Sequence, residues 1–162
     1  MIFVTVGTHE QQFNRLVEYM DNLNLSEEVI IQRGYSDYVP SRCRSEKLLP
    51  YSEMEKLVEQ ARIVVTHGGP SSIMMPLQMG KIPIVVPRQN RYGEHVNDHQ
   101  VEFVQKISES IDIIPVYDIQ ELGDIIRKYD SIASGSVELK SNNKEFNEKL
   151  EKLVEDMFRK KR

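Results

Sequence analysis

The sequence predicts an α/β domain in which a mostly parallel sheet carries helices on both faces. Short runs that are apolar at nearly every position, at residues 2–6, 29–31, 63–66 and 82–86, alternate with stretches whose apolar residues recur every three or four positions. Strands that are apolar throughout belong to sheets covered on both sides, and strand–helix alternation makes such sheets parallel.

Each element follows in order. Residues 2–6 form a strand that ends in Gly7-Thr8, and Phe13, Leu16, Val17 and Met20 then recur at helical spacing. Residues 29–31 form a second strand ended by Arg33-Gly34, and the polar stretch 35–47, with Pro40, reads as loop. A short strand is expected near Leu48 and Leu49. Ser52 and Glu55 have capping-box spacing ahead of a helix with the stripe Met54, Leu57, Val58 and Ala61. Residues 63–66 are the next strand. A helix carrying Ile73, Met74 and Leu77 stops at Gly80, a suitable C-terminal glycine. Residues 82–86 are a further buried strand stopped by Pro87, followed by a polar loop over 88–93 and a helix over 94–108. A strand at 111–115 and a helix over 118–129 complete the domain, set at residues 1–136. In residues 137–162, Phe146, Leu150, Leu153, Val154, Met157 and Phe158 fall at helical spacing among lysines and glutamates. That amphipathic helix either packs on its own sheet or docks on another subunit, its basic end Arg159-Lys160-Lys161-Arg162 suiting anionic lipid headgroups.

A chain of 162 residues is enough for one such domain and too short for two. Its net charge of −4 argues against nucleic-acid binding, which needs a dense basic face. The single cysteine, Cys43, excludes an internal disulfide and fits a reducing, cytoplasmic setting. Residues 1–6 lack the basic start of a signal peptide, and no stretch approaches the roughly 20 apolar residues that span a bilayer.

The stretch from Val64 to Ser72, VVTHGGPSS, carries the clearest chemistry. A β-branched strand runs into two glycines, then a proline and two hydroxyls that open a helix. Glycines let a ligand approach the main chain, Pro70 suits the first helical position, and the free amides of the helix start attract an anion. A nucleotide-type ligand is therefore expected. Open parallel sheets bind ligands beyond the carboxyl ends of their strands, where the loops at 7–9, 67–72 and 88–99 should converge. All four histidines, His9, His67, His95 and His99, lie in or beside these loops. No Walker lysine and no G-x-G-x-x-G spacing accompany the glycines, which argues against an NTPase or a dinucleotide enzyme. His95 and His99 fall four apart, a zinc-ligand spacing on a helix, but Val96 stands where a metalloprotease carries glutamate, and nucleotide contact explains the same face with Asn97 and Gln100. A nucleophile elbow is lacking as well.

Gly7-Thr8, the run from Thr66 to Ser72, Gly80-Lys81-Ile82-Pro83 to Pro87, and Glu94-His95-Val96-Asn97-Asp98-His99-Gln100 together resemble the UDP-sugar-binding half of family 28 glycosyltransferases, over roughly residues 2–116. The string from Arg91 to Gln100 is most similar to small catalytic subunits of two-component capsular or exopolysaccharide enzymes of the β-1,4-galactosyltransferase type. The resemblance implies a Rossmann-like fold forming one half of a GT-B enzyme. It also implies a UDP-sugar substrate without metal or other cofactor, and a membrane-anchored partner subunit that presents a lipid-linked saccharide at the inner face of the membrane. By the same resemblance Gly68, Gly69, Ser71 and Ser72 surround the diphosphate, His99 and Gln100 meet the donor, and Thr8 and His9 close the other side, with His67 and His95 in the same loops. Arg88 is placed by position to meet phosphate. Met75 stands where many relatives carry the glutamate that holds the ribose hydroxyls, so ribose recognition is assigned to Glu94 or a backbone group. The implied reaction is an inverting transfer with His9 as general base, or with the base on the partner. A non-catalytic, nucleotide-sugar-binding or enhancer subunit is the alternative.

Overall fold

The computed structural model describes residues 1–134 and, beyond them, Glu148, Glu151, Lys152 and Glu155, four helical and exposed positions. The apolar stripe expected in the tail, and any docking role for residues 137–162, lie outside the described residues. Six parallel strands, β1 (Ile2–Thr5), β2 (Val29–Gln32), β3 (Arg44–Glu46), β4 (Ile63–Thr66), β5 (Ile84–Val85) and β6 (Ile114–Pro115), form one open sheet in the order β3-β2-β1-β4-β5-β6. Strands β1, β2 and β4 are buried at every residue, which is why their sequences do not alternate.

Helices α1 (Asn14–Asn22), α5 (Leu122–Arg127) and α6 (Tyr129–Ala133) cover one face, where Leu16, Val17, Met20, Leu122, Ile126 and Tyr129 pack on Val4, Ile31 and Val65. Helices α2 (Tyr51–Gln60), α3 (Pro70–Gln78) and α4 (His99–Ile107) cover the other in two clusters. Val58 and Ala61 of the α2 segment meet Phe3, Ile30 and Val64, while Ile73 and Leu77 of α3 meet Val85, Phe103, Val104 and Ile107.

Several elements differ from expectation. The third strand is Arg44–Glu46 rather than a run near Leu48 and Leu49; as an edge strand it has no need of apolar residues, so pattern reading passes over it. Helix α2 starts one residue before Ser52, with Pro50 at its N-cap and no side-chain cap, so the Ser52–Glu55 box is not formed. The expected helix over 94–108 begins only at His99. Ahead of it Asp98 Oδ1 accepts from the Asn90 amide (2.9 Å) and Asn97 Oδ1 from the His99 amide (3.0 Å), local bonds that compete with a helical turn. His95 therefore precedes the helix, and the four-residue spacing does not place it on one helical face with His99. Strand β6 is only two residues long, and the single helix expected over 118–129 is divided into a 3-10 turn, α5 and α6.

Two expected termini are present. Pro70 occupies the first turn of α3, and Gly80, with φ of +74°, follows its end in the left-handed region. Among the described residues no helix is long and apolar enough to cross a membrane.

Candidate functional site

The strand order reverses between β1 and β4: the chain leaves β1 toward β2 on one side and leaves β4 toward β5 on the other. Loops that part in opposite directions leave a crevice at the carboxyl edge of the sheet. A cavity of about 540 Å³ occupies it, with Gly7, Thr8 and His9 from the β1 loop, His67, Gly69, Ser71 and Ser72 from the β4 loop and α3, Gln32 from β2, Tyr51 and Met54 from α2, and Met74, Met75 and Gln78 from α3.

His67 organises one wall. Its Nδ1 accepts from the Gly69 amide at 3.1 Å, so the ring proton sits on Nε2, which donates to Ser72 Oγ at 3.0 Å. Burial, reinforced by the positive charge of Arg88, pulls its pKa down to about 3, and the ring is neutral at physiological pH. A Cβ on Gly69 would come within 2.2 Å of this imidazole, and one on Gly7, whose φ is +79°, within 2.3 Å. The glycines on either side thus leave room for a buried imidazole first. Gly68 plays a related part, since a Cβ there would stand 3.0 Å from the Gln100 side chain.

This arrangement decides which amides can hold an anion. The Gly68 amide donates to Gln100 Oε1 at 3.0 Å and the Gly69 amide to His67 Nδ1, so both glycine amides expected around a diphosphate are already engaged. The first intrahelical bond of α3 runs from the Ile73 amide to the Gly69 carbonyl, and Pro70 has no N–H. The amides of Ser71 and Ser72 remain without acceptors among the described residues, at the positive end of the helix dipole. The Ser72 hydroxyl, already accepting from His67, keeps its own proton to donate. Two amides and two hydroxyls at the start of α3 are therefore the donors available to phosphate.

Three other expected contacts face the protein instead of the cavity. Arg88 is fully buried, with Nη1 donating to the carbonyls of Gln11 (2.8 Å), Gln12 (3.2 Å) and Glu94 (3.0 Å) and Nη2 to that of Val6 (2.6 Å), so it ties loops together and has no path to phosphate. Burial lowers its pKa to about 10, with Glu94 opposing, and it stays charged at neutral pH. Glu94, also fully buried, makes a two-pronged ion pair with Arg15 at 2.9 and 3.0 Å and accepts from the Gln89 amide, which removes it as a ribose ligand. Gln100 binds the amides of Gly68 and Arg88 through Oε1 and approaches His67 Nδ1 through Nε2 at 3.3 Å, a positioning arrangement. His99 is exposed at the start of α4.

His9 reaches the cavity with its ring stacked on His95 at 4.6 Å between centroids and 11° between planes. Its Nε2 donates to Gln11 Oε1 at 2.9 Å, which leaves the Nδ1 lone pair available for a proton. Burial and the adjacent His9 and Arg88 lower the pKa of His95. Among the described residues no group of three His, Cys, Asp or Glu side chains is arranged to hold a metal ion. Sequence reading missed Gln32, Tyr51, Met54, Met74 and Gln78. The one available signal was a glutamine closing the otherwise apolar run of β2.

The chain belongs to the glycosyltransferase family 28 C-terminal domain family, which it matches over residues 1–158. Its open, all-parallel six-stranded sheet with helices is a Rossmann-like fold similar to the C-terminal domains of GT-B glycosyltransferases. It is similar to the glycosyltransferase SnogD from Streptomyces nogalater, with a TM-score of 0.59 at 16% identity, covering 94% of this chain and 42% of that one. It is similar also to the calicheamicin glycosyltransferase CalG4 (TM-score 0.60, 12% identity, 94% and 39% covered) and to the glycosyltransferase VinC, solved in complex with dTDP (0.57, 15%, 98% and 41%). The chain thus spans about two fifths of the length of these structures. Among curated proteins none matches it significantly in sequence.

Proposed function

We propose that this chain binds a UDP-sugar in the crevice between β1 and β4 and is the catalytic, donor-binding subunit of a two-component inverting glycosyltransferase. The single observation that carries this is the meeting, in one cavity, of the two unengaged amides and two hydroxyls of α3 with the imidazole of His9. A departing nucleoside diphosphate gains negative charge, and helix-start amides offset it in the place of a metal ion. In this reading the acceptor hydroxyl attacks the anomeric carbon, the bond from that carbon to the UDP oxygen breaks, and UDP leaves with the electron pair. The hydroxyl proton passes to His9 Nδ1.

The acceptor is a lipid-linked saccharide, held by a membrane-anchored partner that supplies the other half of the GT-B crevice at the inner face of the membrane. The hexose transferred, galactose or N-acetylglucosamine, serves capsular or exopolysaccharide assembly. Support comes from exposed apolar residues at the carboxyl edge, among them Tyr51 (69%), Tyr92 (44%) and Val96 (68%).

Co-expression with a candidate membrane-anchored subunit, followed by transfer assays with UDP-sugars and lipid-linked acceptors, tests the whole proposal. His9→Ala in the reconstituted pair is expected to lower kcat by about 10²–10⁴-fold, the usual worth of a positioned base, with UDP affinity little changed. Near-normal turnover by that variant would move the base to the partner.

A further inference from the structure

Gln32 closes β2 on the same face as Ile30, and in register beside it stand Thr5 of β1 and then Thr66 of β4, a polar row above the Phe3, Ile30 and Val64 cluster. Thr5 Oγ1 accepts from the Gly7 amide, and the Thr66 hydroxyl donates to the His67 carbonyl. Gln32 differs. It is fully buried and lines the cavity, yet neither Oε1 nor Nε2 has a hydrogen-bond partner among the described residues. A buried carboxamide left unpaired at both atoms destabilises the fold, so its presence in a ligand cavity points to a ligand that offers an acceptor and a donor side by side.

The surroundings narrow the class of ligand group. Met54 from α2 and Met75 from α3, packed on the Phe3, Ile30 and Val64 cluster, give this part of the cavity apolar walls, which suit the faces of a planar ring, while Gln32 suits its polar edge. Strand β2 lies two strand spacings, roughly 10 Å, from β4, whose loop leads into the phosphate-binding start of α3. A nucleotide whose diphosphate sits at Ser71 and Ser72 has its ribose between those positions and its base at the far one.

We propose that Gln32 is a specificity-determining residue that reads the pyrimidine base of the bound nucleoside diphosphate, with Oε1 accepting from the ring N3–H and Nε2 donating to the adjacent ring carbonyl. This rests on the UDP-sugar reading of the cavity and adds to it the residue that recognises the base.

Calorimetric titration of the full chain with UDP, N3-methyl-UDP and inorganic pyrophosphate, in wild type and in Gln32→Met, tests the assignment. The substitution keeps the side-chain length and removes both hydrogen-bonding atoms. UDP binding is expected to weaken roughly tenfold in the variant. Pyrophosphate binding is expected to stay as in wild type, and UDP and N3-methyl-UDP, distinguished by wild type, to become equivalent. The thermal midpoint of the free variant should rise, because an unpaired buried amide is gone. Equal UDP affinity in wild type and variant overturns the role of Gln32 and leaves the cavity reading standing; so does a parallel loss for UDP and pyrophosphate, the mark of general distortion. A wild-type chain that binds neither UDP nor pyrophosphate overturns the cavity reading itself. Gln32→Leu provides a second apolar variant should the methionine fail to fold.

Discussion

The buried imidazole of His67 links folding to pH. Its pKa is about 3 in the fold against an ordinary 6.5, so between those values the unfolded chain holds a proton that the folded chain does not. Stability is complete above pH 6.5 and is lost progressively as pH falls toward 3. His95, lowered by burial and by His9 and Arg88, contributes a loss of the same sign. Carboxylates act in a more acidic window. Arg62 and the N-terminal amine hold Glu27 at about 2; at Asp21 the amides of Ser41, Arg42 and Cys43 and the Tyr38 hydroxyl outweigh the opposing effect of burial to give a similar value. Thermal unfolding followed from pH 7.5 to 5 therefore isolates the histidines. In His67→Asn the new Oδ1 is positioned to accept from the Gly69 amide while nothing titrates, and the decline of the midpoint with acid is expected to be shallower than in wild type. An unchanged slope would refute the assignment of His67 as neutral. The side chain of Arg88 gives a second contrast. Its guanidinium serves four carbonyls, those of Val6 and Glu94 buried and those of Gln11 and Gln12 partly so, and none of the cavity, so Arg88→Met should destabilise by about 3 kcal/mol or more, the scale for stranding buried polar groups. Urea unfolding measures that loss, and pyrophosphate titration of the folded fraction should show affinity preserved. A selective loss of affinity with stability intact would make Arg88 a phosphate ligand after all.

At the level of elements, what could be read in the sequence depended on how each segment is satisfied. Strands β1, β2 and β4 were legible because full burial on both faces imposes apolar residues at successive positions. Helix α3 was legible at both ends, through Pro70 and Gly80, since each answers a backbone requirement confined to one residue. Strand β3 was not, because its pairing to β2 runs through main-chain groups that any sequence possesses, and its side chains Arg44 and Glu46 are exposed. The start of α4 was misplaced by five residues because Asn97 and Asp98, polar residues compatible with a first turn, bond to nearby amides instead. The same distinction governs the site. The glycine and serine loop stood out as an anion receptor by local geometry. That the Gly68 amide is taken by Gln100, and that Arg88 and Glu94 turn inward, are long-range facts, since Gly68 and Gln100 are 32 residues apart, Val6 and Arg88 82, and Arg15 and Glu94 79. No local pattern carries information at that distance.

On the scale of the whole molecule, the carboxyl edge is the face where the cavity opens and where Tyr51, Tyr92 and Val96 remain exposed. Val96 follows His95, whose ring is stacked on His9, so a partner seated there would stand beside the proposed base. Val96→Asp is accordingly expected to weaken association with the proposed acceptor-binding subunit by about tenfold or more while leaving UDP titration of the isolated chain unchanged, the cost of stranding a charge in an interface. Co-purification and calorimetry read the two quantities separately. Unimpaired association would place the partner on another face.

The imidazole of His67 is bonded to Gly69 and Ser72 on the β4 lip of the crevice and lies directly against Gly7 on the β1 lip, so the β1 lip cannot move inward without colliding with the ring. The gap consequently cannot narrow without displacing a buried ring. In the proposed two-component enzyme this half is an anvil, and sealing the sugar from water would fall to the approach of the companion subunit.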